Sequence, residues 1–148
     1  MRCNLVSPSL LTDQHLIAEK RELRMIPPLL KTKLKKGGLK NVLDSIPEEF
    51  VLGSGHMSWC LDKGLFLEKR YIEIEREMEL RRFVPNPELV FNTDNFLLYK
   101  EELYKDFIPS EKDIRLISSR LKEKILLRLK WYKFYGKPLL KDFWIFNL

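Results

Sequence analysis

Apolar residues recur at helical spacing in three separate stretches of the chain, and this pattern restricts the fold more than any other feature. The three stripes are Leu16, Leu23, Ile26 and Leu30; Leu67, Tyr71, Ile74 and Met78; and Ile114, Ile117 and Leu121. Steps of three, four and seven place such residues on one face of an α-helix. No stretch alternates convincingly as a strand and no internal repeat is present, so we predict an all-α fold.

The chain is long enough for one domain. Its 148 residues, of which 45% are apolar, can bury one sizeable core but leave no room for a second independent domain. We therefore expect a single domain over residues 1–148, built as a compact bundle of three main helices with long irregular connections. No apolar run approaches the length of a membrane span and no charged-then-apolar leader begins the chain, so we expect a cytoplasmic protein.

Capping and turn residues set the expected ends of the helices. Thr12 and Ser110 are good N-caps. The Pro-Pro pair at 27 and 28 should interrupt the first helix, and the Gly-Gly pair at 37 and 38 should end its continuation. The predicted helices cover residues 13–25, 29–36, 62–83 and 111–129. Residues 39–55 are predicted to be irregular, and residues 84–109 are predicted to form a connection with local helix at most. The polar side of the helix over residues 62–83 is predicted to be a salt-bridged outer face.

Positive charge is concentrated in two places that are far apart in the sequence. Residues 20–40 carry eight basic side chains and one acid, Glu22, and residues 120–141 carry eight basic side chains and one acid, Glu123. Residues 41–119 carry ten basic and sixteen acidic side chains. If folding brings the two basic stretches together, they form one cationic face suited to a phosphate backbone. The alternative is an ordinary solvated surface of lysine-rich helices.

The C-terminal stretch is unusually aromatic. Residues 131–148 contain seven aromatic side chains, and the first four are interleaved with Lys130, Lys133 and Lys137. Aromatic rings stack on bases and lysines bind phosphates, so this composition suits distorted or unpaired nucleic acid. The alternative is an aromatic tail folded over the core, above all at residues 143–146.

Thiols and imidazoles are few. They are Cys3, Cys60, His15 and His56. These four could in principle hold a metal ion, but no short pair such as C-x-x-C supports such a site, and we expect no metal. Two cysteines without paired spacing give no disulfide framework either, which favours a reducing compartment.

Several stretches occur in the order, and nearly the spacing, of one known family. They are MRCNL at residues 1–5, DQHLIAEKREL at 13–23, LGSGHMSWCLDKGLFLEKR at 52–70, DFIPSE at 106–111, SRLKEK at 119–124 and WYKFYGK at 131–137. Over residues 1 to about 137 the chain resembles the phage endonuclease V type of pyrimidine-dimer DNA glycosylase. Residues 138–148 extend beyond the usual end of that family.

The resemblance implies an enzyme that acts on damaged double-stranded DNA. Such an enzyme excises the 5′ base of an ultraviolet-induced cyclobutane pyrimidine dimer and then breaks the strand by β-elimination at the abasic site. It is expected to be a monomer without metal or organic cofactor, with an N-terminal segment that threads between the first and last helices toward the DNA. In this family the nucleophile is the α-amine of the residue that precedes an arginine, which is Met1 here.

Amine chemistry at Met1 agrees with that implication. An α-amine titrates near 7.7 to 8.0 and a lysine near 10.4, so roughly a fifth to a third of the amine, but only about a thousandth of a lysine, is neutral at pH 7.4. Neighbouring Arg2 and Arg21 should disfavour the cationic amine further. The best-known members expose a threonine after losing their methionine, so the register here requires that Met1 is retained and unblocked. Bulky Arg2 favours that retention.

Glu22 is the second catalytic candidate. It is the only acid in residues 20–40, it projects with Arg21 rather than into the core, and it matches the carboxylate of the REL motif that the resemblance carries. A carboxylate there can stabilise the oxocarbenium-like charge as the base departs and assist the later proton transfers. Without the resemblance, an ion pair with neighbouring cations would be the preferred interpretation.

The resemblance also indicates which residues bind DNA. By direct match these are Arg2, Gln14, Arg21, Arg120 and Lys124, together with Trp131, Tyr132, Lys133, Tyr135 and Gly136. Arg24 and Lys33 are assigned out of register, because Met25 and Thr32 stand where basic residues are expected. Recognition is expected to be indirect, through a kinked duplex and an adenine extruded opposite the lesion.

Two other functions stay open at the level of the sequence. A basic helical protein could keep this scaffold and bind DNA without chemistry. Imine chemistry would also serve an abasic-site lyase or a glycosylase for a different lesion. Borohydride trapping on abasic DNA tests the first alternative, and a comparison of dimer-containing with abasic DNA tests the second.

Overall fold

The computed structural model describes residues 3–139, and the predictions for Met1, Arg2 and residues 140–148 lie outside them. The elements are α1 (Asp13–Leu23), α2 (Ile26–Asp44), α3 (His56–Trp59), α4 (Gly64–Leu80), α5 (Asp94–Leu98), α6 (Lys100–Leu103), α7 (Glu111–Leu127), β1 (Lys133–Phe134) and β2 (Lys137–Pro138), with 3-10 turns at Pro8–Leu10, Gly53–Gly55 and Cys60–Asp62. The described chain is mostly helical, which confirms the predicted all-α class. None of these helices is both long and apolar enough to cross a membrane.

The first helix begins where the sequence predicts. The Thr12 side chain caps α1 by accepting a hydrogen bond from the His15 N–H. A break of two residues separates α1 from α2, which begins at Ile26 with Pro27 in its first turn. Proline is tolerated there because the first N–H groups of a helix have no partner inside it. The predicted interruption is confirmed, although it falls just before the prolines.

The Gly-Gly pair breaks α2 without ending it. Gly38 has a φ of 71°, a left-handed conformation that glycine adopts without strain, and helical turns resume after it as far as Asp44. The prediction that residues 39–55 are irregular is therefore wrong for residues 39–44. Val42 is buried in that stretch, and its packing on the core stabilises the last turns of the helix.

The fourth helix carries a complete apolar stripe. The buried residues of α4 include Leu67, Tyr71, Ile74 and Met78, as predicted. The prediction of a salt-bridged outer face is wrong in part, because Arg70, Glu77 and the C-cap residue Arg81 are buried as well. Their charges can leave water because each has an ion-pair partner.

The last helix begins at a capping box. The Ser110 hydroxyl accepts from the Asp113 N–H at 3.1 Å, and the Asp113 carboxylate accepts from the Ser110 N–H at 2.9 Å. The buried apolar residues of α7 are Ile117, Leu121 and Ile125. Ile114, predicted to be buried, is 39% exposed instead, because the buried stripe lies one turn nearer to the C-terminus than predicted.

A short hairpin follows α7 in a region where no strand is predicted. β1 and β2 pair in antiparallel register, with Phe134 opposite Lys137. Tyr135 and Gly136 form the two-residue turn and have positive φ angles of 50° and 74°, as hairpin turns of this length require. A ladder this short has no periodicity that a sequence pattern could reveal. We call residues 131–138 the aromatic hairpin.

The first and fourth helices pack side by side at the centre of the core. Glu19 of α1 pairs with Arg70 of α4, and Asp13 pairs with Arg81, so the two helices run in opposite directions. Cys3, Leu5 and Val6 belong to the same buried cluster as Ile117 of α7. The described part of the N-terminal segment is therefore packed in the core, and its predicted path between the first and last helices toward the DNA stays a prediction.

Candidate active site

The first helix carries three of the predicted site residues. Residues seven apart return to nearly the same helix face, so Gln14 and Arg21 share one face of α1 and His15 and Glu22 share the face beside it. Arg21 is exposed, whereas Glu22 is partly buried and its Oε2 atom is shielded from solvent. Glu22 therefore lies at the boundary between core and surface.

The N-terminal segment is fixed by hydrogen bonds to α1 and α3. The backbone N–H and the side-chain amide of Asn4 donate to the Glu19 carboxylate at 3.2 and 2.6 Å. The Cys3 N–H donates to Nε2 of His56 at 3.1 Å. Nε2 is therefore the acceptor nitrogen, and Nδ1 of His56 carries the proton that it donates to the Val51 carbonyl at 2.9 Å. These bonds hold the backbone at residues 3 and 4 in one position.

Arg70 of α4 also binds Glu19 and the N-terminal segment. Its Nε and Nη2 atoms donate to the two Glu19 oxygens at 2.7 and 3.1 Å, and Nη1 donates to the Val6 carbonyl at 2.5 Å. Burial works against the guanidinium charge, but the Glu19 carboxylate outweighs it and raises the pKa of Arg70. The side chains are 4% and 0% exposed, so the two charges neutralise each other away from water. We call Glu19, Arg70 and the residues 3–6 that they hold the N-terminal anchor.

Burial makes both thiols poor nucleophiles. Burial, and then the Glu19 carboxylate, raises the pKa of Cys3 to about 12. Burial, and then Cys3, raises the pKa of Cys60. A thiol attacks as its thiolate, so neither cysteine is reactive near neutral pH. Within residues 3–139 no three His, Cys, Asp or Glu side chains are grouped so that they could hold a metal ion.

Gln14 and His15 hold the first residues of the aromatic hairpin. The Gln14 side chain donates to the Trp131 carbonyl at 2.8 Å and accepts from the Lys133 N–H at 2.9 Å. The His15 ring stacks on Tyr132, which lies between those two residues, with 4.7 Å between ring centroids. The start of α1 therefore contacts three consecutive hairpin residues.

Asp13 holds the turn of the same hairpin. Its two carboxylate oxygens accept from the N–H groups of Tyr135 and Gly136 at 3.1 and 2.8 Å. Arg81 donates to Asp13 at 3.0 Å and to Glu77 at 2.8 Å, and its guanidinium lies 4.6 Å from the centre of the Tyr135 ring. The Tyr135 hydroxyl also donates to Glu77 at 2.7 Å. We call Asp13, Gln14, Glu77 and Arg81 the hairpin clamp.

The two predicted cations of α7 differ in their surroundings. Arg120 is exposed and pairs with Glu123 at 2.8 Å, a surface ion pair that contributes little stability. Ile125, which follows Lys124 on α7, packs against Tyr132, and Tyr132 stacks on His15 of α1. Burial, and then the charge of Lys124, lowers the pKa of His15 to about 4. The structure thus brings Gln14, Lys124 and the aromatic hairpin together.

The two remaining predicted cations lie elsewhere. Arg24 follows α1 and is partly buried, and its Nε atom has no hydrogen-bond partner among residues 3–139. Lys33 lies on α2 and is partly exposed. In the described part of the chain, no hydrogen bond or ion pair joins either residue to the aromatic hairpin or to α7. The described contacts of the aromatic hairpin with α1 are instead made by Asp13, Gln14 and His15.

The aromatic side chains predicted to stack on bases differ in their exposure. Trp131 is 56% exposed and Tyr135 is 46% exposed, whereas Tyr132 is 7% exposed and packs against Ile125 of α7. Lys133 and Gly136 are exposed beside them. Trp131 is therefore available to a ligand, and Tyr132 serves the packing of the hairpin.

Residues 1–90 match the family model for pyrimidine dimer DNA glycosylases. The chain belongs to this family of DNA glycosylases. The match confirms the resemblance found in the sequence and implies a DNA substrate that contains pyrimidine dimers. It covers the N-terminal anchor, Glu22 and α4, whereas α7 and the aromatic hairpin lie beyond it.

Some residues that build the candidate site were not predicted from the sequence. They are Asp13, Glu19, Arg70, Glu77 and Arg81. A signal was present, because Glu19 lies three residues after Leu16 and four before Leu23, and Arg81 lies three residues after Met78. A charge at such a position is buried and has to be paired. The partner of each charge could be found only from the structure.

Proposed function

We propose that this glycosylase excises the 5′ base of cyclobutane pyrimidine dimers and then cleaves the strand as an abasic-site lyase, through a Schiff base with the α-amine of Met1. The observation that carries the proposal is that Glu19 holds the backbone of Asn4 while Glu22 lies one turn further along the same helix. One turn is a rise of roughly 5 Å. Two residues extend at most about 7 Å, so the chain ahead of Cys3 can bring an amine to Glu22.

The proposed reaction needs no metal or organic cofactor. The neutral amine attacks the anomeric carbon of the sugar, an N–C bond forms, and the glycosidic bond breaks with loss of the base. The nitrogen loses a proton, the C1′–O4′ bond breaks and O4′ takes up a proton, so the open sugar is joined to the protein by an imine at C1′. The imine makes the C2′ proton acidic, and its removal expels the 3′ phosphate by β-elimination.

Glu22 is the group proposed to stabilise the charge and transfer the protons. Its partly buried position supports this role, because a carboxylate shielded from water stabilises an oxocarbenium-like centre more strongly than an exposed one. The same carboxylate is then near enough to the sugar to accept the C2′ proton. Exposed Arg21 next to it adds a cation that keeps the amine neutral and attracts phosphate.

The proposed DNA surface joins the exposed parts of α1, α7 and the aromatic hairpin. Its proposed DNA-contacting members are Arg21, Arg120, Lys124, Trp131, Lys133, Tyr135 and Gly136, together with Arg2, Arg24 and Lys33, which lie outside these elements in the sequence. Gln14 and the buried Tyr132 contribute through the packing of the hairpin. The contacts of Gln14 with the hairpin, the packing of α7 residue Ile125 against Tyr132 and the exposure of Trp131 support this surface. Arg24 and Lys33 have the least structural support, because no described contact joins them to the rest.

Borohydride trapping with Glu22→Gln tests the chemistry. Wild-type protein should form a covalent complex with abasic-site DNA and excise the dimer. Glu22→Gln should keep dimer-specific binding while losing base excision and strand cleavage, because glutamine preserves the shape but neither the charge nor the proton acceptor. Glu101→Gln, which removes an exposed carboxylate on α6, is the charge-matched control and should retain full activity.

Three outcomes separate the alternatives. Dimer binding without any trapping by wild-type protein would indicate a DNA-binding protein without chemistry. Trapping on abasic DNA without excision of dimers would indicate an abasic-site lyase or a glycosylase for another lesion. Near-normal turnover of Glu22→Gln would show that the role of Glu22 is misassigned.

The salt dependence of binding tests the cationic surface separately. If about six of the proposed cations contact phosphates, the logarithm of the association constant should fall with the logarithm of the salt concentration at a slope near −5. Arg21→Gln should make that slope shallower by about one unit, because one phosphate contact is lost. A slope near zero for wild-type protein would contradict the proposed surface.

A further inference from the structure

We infer that Asp13 and Gln14 are positioning residues, which fix the aromatic hairpin in the place from which it binds DNA, and that Gln14 acts through the hairpin rather than by contact with a phosphate. This inference rests on the proposed function, because it assigns a role to the hairpin in DNA binding. Asp13 and Gln14 lie within the matched residues 1–90, whereas the hairpin that they hold lies outside them.

Gln14 is engaged at both ends of its side-chain amide. The amide nitrogen donates to the Trp131 carbonyl and the oxygen accepts from the Lys133 N–H. The side chain therefore pairs with the hairpin backbone as a neighbouring strand would, on both sides of Tyr132. A phosphate could take the Gln14 amide group only at the expense of these bonds.

Asp13 stabilises a turn that is otherwise unfavourable. A two-residue turn with positive φ at both positions suits glycine and asparagine, and the φ of 50° at Tyr135 is strained for a bulky residue. The Asp13 carboxylate accepts both turn N–H groups, which offsets that strain. Arg81 fixes the carboxylate from α4, so the turn is held at a defined place on the core.

One rigid helix connects the hairpin with the catalytic candidate. Asp13 and Gln14 form the first turn of α1, and Glu22 lies in its last turn, so the separation is fixed at roughly 12 Å along the helix axis. The exposed Trp131 and Lys133 are then presented at a constant distance from Glu22. A binding element held in place before binding loses less conformational entropy when DNA binds.

Amide hydrogen exchange in the free protein, combined with DNA binding and trapping, tests this role. Gln14→Met keeps the length of the side chain but not its hydrogen bonds, and it should speed exchange of the Lys133 N–H. Asp13→Asn should speed exchange at Tyr135 and Gly136. Each variant should weaken binding to dimer-containing DNA by about tenfold, the effect of losing one or two hydrogen bonds.

The chemical step should respond differently. At saturating DNA, both variants should form the borohydride-trapped complex with abasic DNA at a rate within about twofold of wild type, because Glu22 is untouched. Glu88→Gln, which removes an exposed carboxylate on the loop after α4, makes the same charge change as Asp13→Asn. It should leave amide exchange, binding to dimer-containing DNA and the rate of borohydride trapping unchanged.

Several results would overturn the inference. Weaker DNA binding by Gln14→Met with unchanged exchange at Lys133 would mean that Gln14 contacts DNA directly. Faster exchange with unchanged binding would mean that the hairpin takes no part in binding. If Asp13→Asn unfolds the protein, which the Asn4 N–H would report, Gln14→Met still decides the question. Failure of wild-type protein to trap DNA would reject the proposed chemistry and leave the exchange and binding results valid.

Discussion

The N-terminal anchor and the hairpin clamp have the same design at two positions of α1, six residues apart. Arg70 pairs with Glu19 in the first, and Arg81 pairs with Asp13 in the second. In both, the carboxylate also accepts N–H groups from a backbone segment that is distant in sequence. In both, the arginine donates as well to carbonyl groups of residues 6–11.

The two sites differ in what they hold. The anchor holds Cys3 and Asn4, which are 0% and 3% exposed, whereas the clamp holds a turn in which Tyr135 is 46% exposed. Water can replace lost contacts at the hairpin but cannot reach residues 3 and 4 without opening the core. The comparison indicates that the same kind of arginine–carboxylate pair stabilises the fold at the N-terminal anchor and positions a surface element at the hairpin clamp.

Replacement of Arg70 should have the largest effect on stability. Arg70→Met should lower the free energy of unfolding by about 3–5 kcal/mol, because it leaves the Glu19 carboxylate buried without a compensating charge. Urea denaturation measures this change. Lys69→Met is the matched control, since Lys69 pairs with Asp106 at the surface, and it should cost less than about 1 kcal/mol. A similar small cost for both variants would contradict the role given to the anchor.

Replacement of Arg81 should have a smaller and more local effect. Arg81→Met should cost about 2–3 kcal/mol, because the charged hydrogen bonds to Asp13 and Glu77 are lost while water can enter at the hairpin. Amide exchange should accelerate at Tyr135 and Gly136 but not at Asn4. Arg76→Met, at an exposed position of α4, is the control. Equal acceleration at Asn4 would show that the two sites are one cooperative unit.

Acidification should destabilise the hairpin side through His15. Its pKa is about 4 in the folded protein and about 6.5 in an unfolded chain, so the unfolded state binds more protons between these values. The contribution of His15 to the free energy of unfolding is therefore complete above pH 6.5 and is lost as the pH falls toward 4. The loss is about 2 kcal/mol at pH 4.5. His15→Phe keeps a ring against Tyr132 and removes this titration. Urea denaturation of wild-type protein and of His15→Phe at pH 7 and 4.5 measures this effect. Equal losses of stability in the two proteins between these pH values would contradict the assignment.

Helices with an apolar stripe and a good cap could be predicted from the sequence, and the regions without such signals could not. Thr12 and Ser110 are cap residues whose role depends only on neighbouring N–H groups, and both helices begin as predicted. The turns after Gly38 and the aromatic hairpin depend on contacts with distant residues instead. The local sequence pattern does not predict those contacts.

The candidate site shows the same division. Glu22, as the single acid among many bases, could be singled out by composition and by the resemblance. The buried pair of Glu19 and Arg70 could not, because residues 51 positions apart have no sequence relation that predicts an ion pair. Gln14 was identified as important, but its contacts with the hairpin backbone appear only in three dimensions.

The identity of the protein atom that bonds to DNA is the most direct test of the proposed mechanism. Wild-type protein is trapped with borohydride on abasic-site DNA, digested with a protease and nuclease, and the modified peptide is sequenced by mass spectrometry. We expect one reduced sugar adduct on the α-amine of a retained Met1. An adduct on a lysine side chain, or a chain that reacts fully with Met1 removed or blocked, would contradict the mechanism.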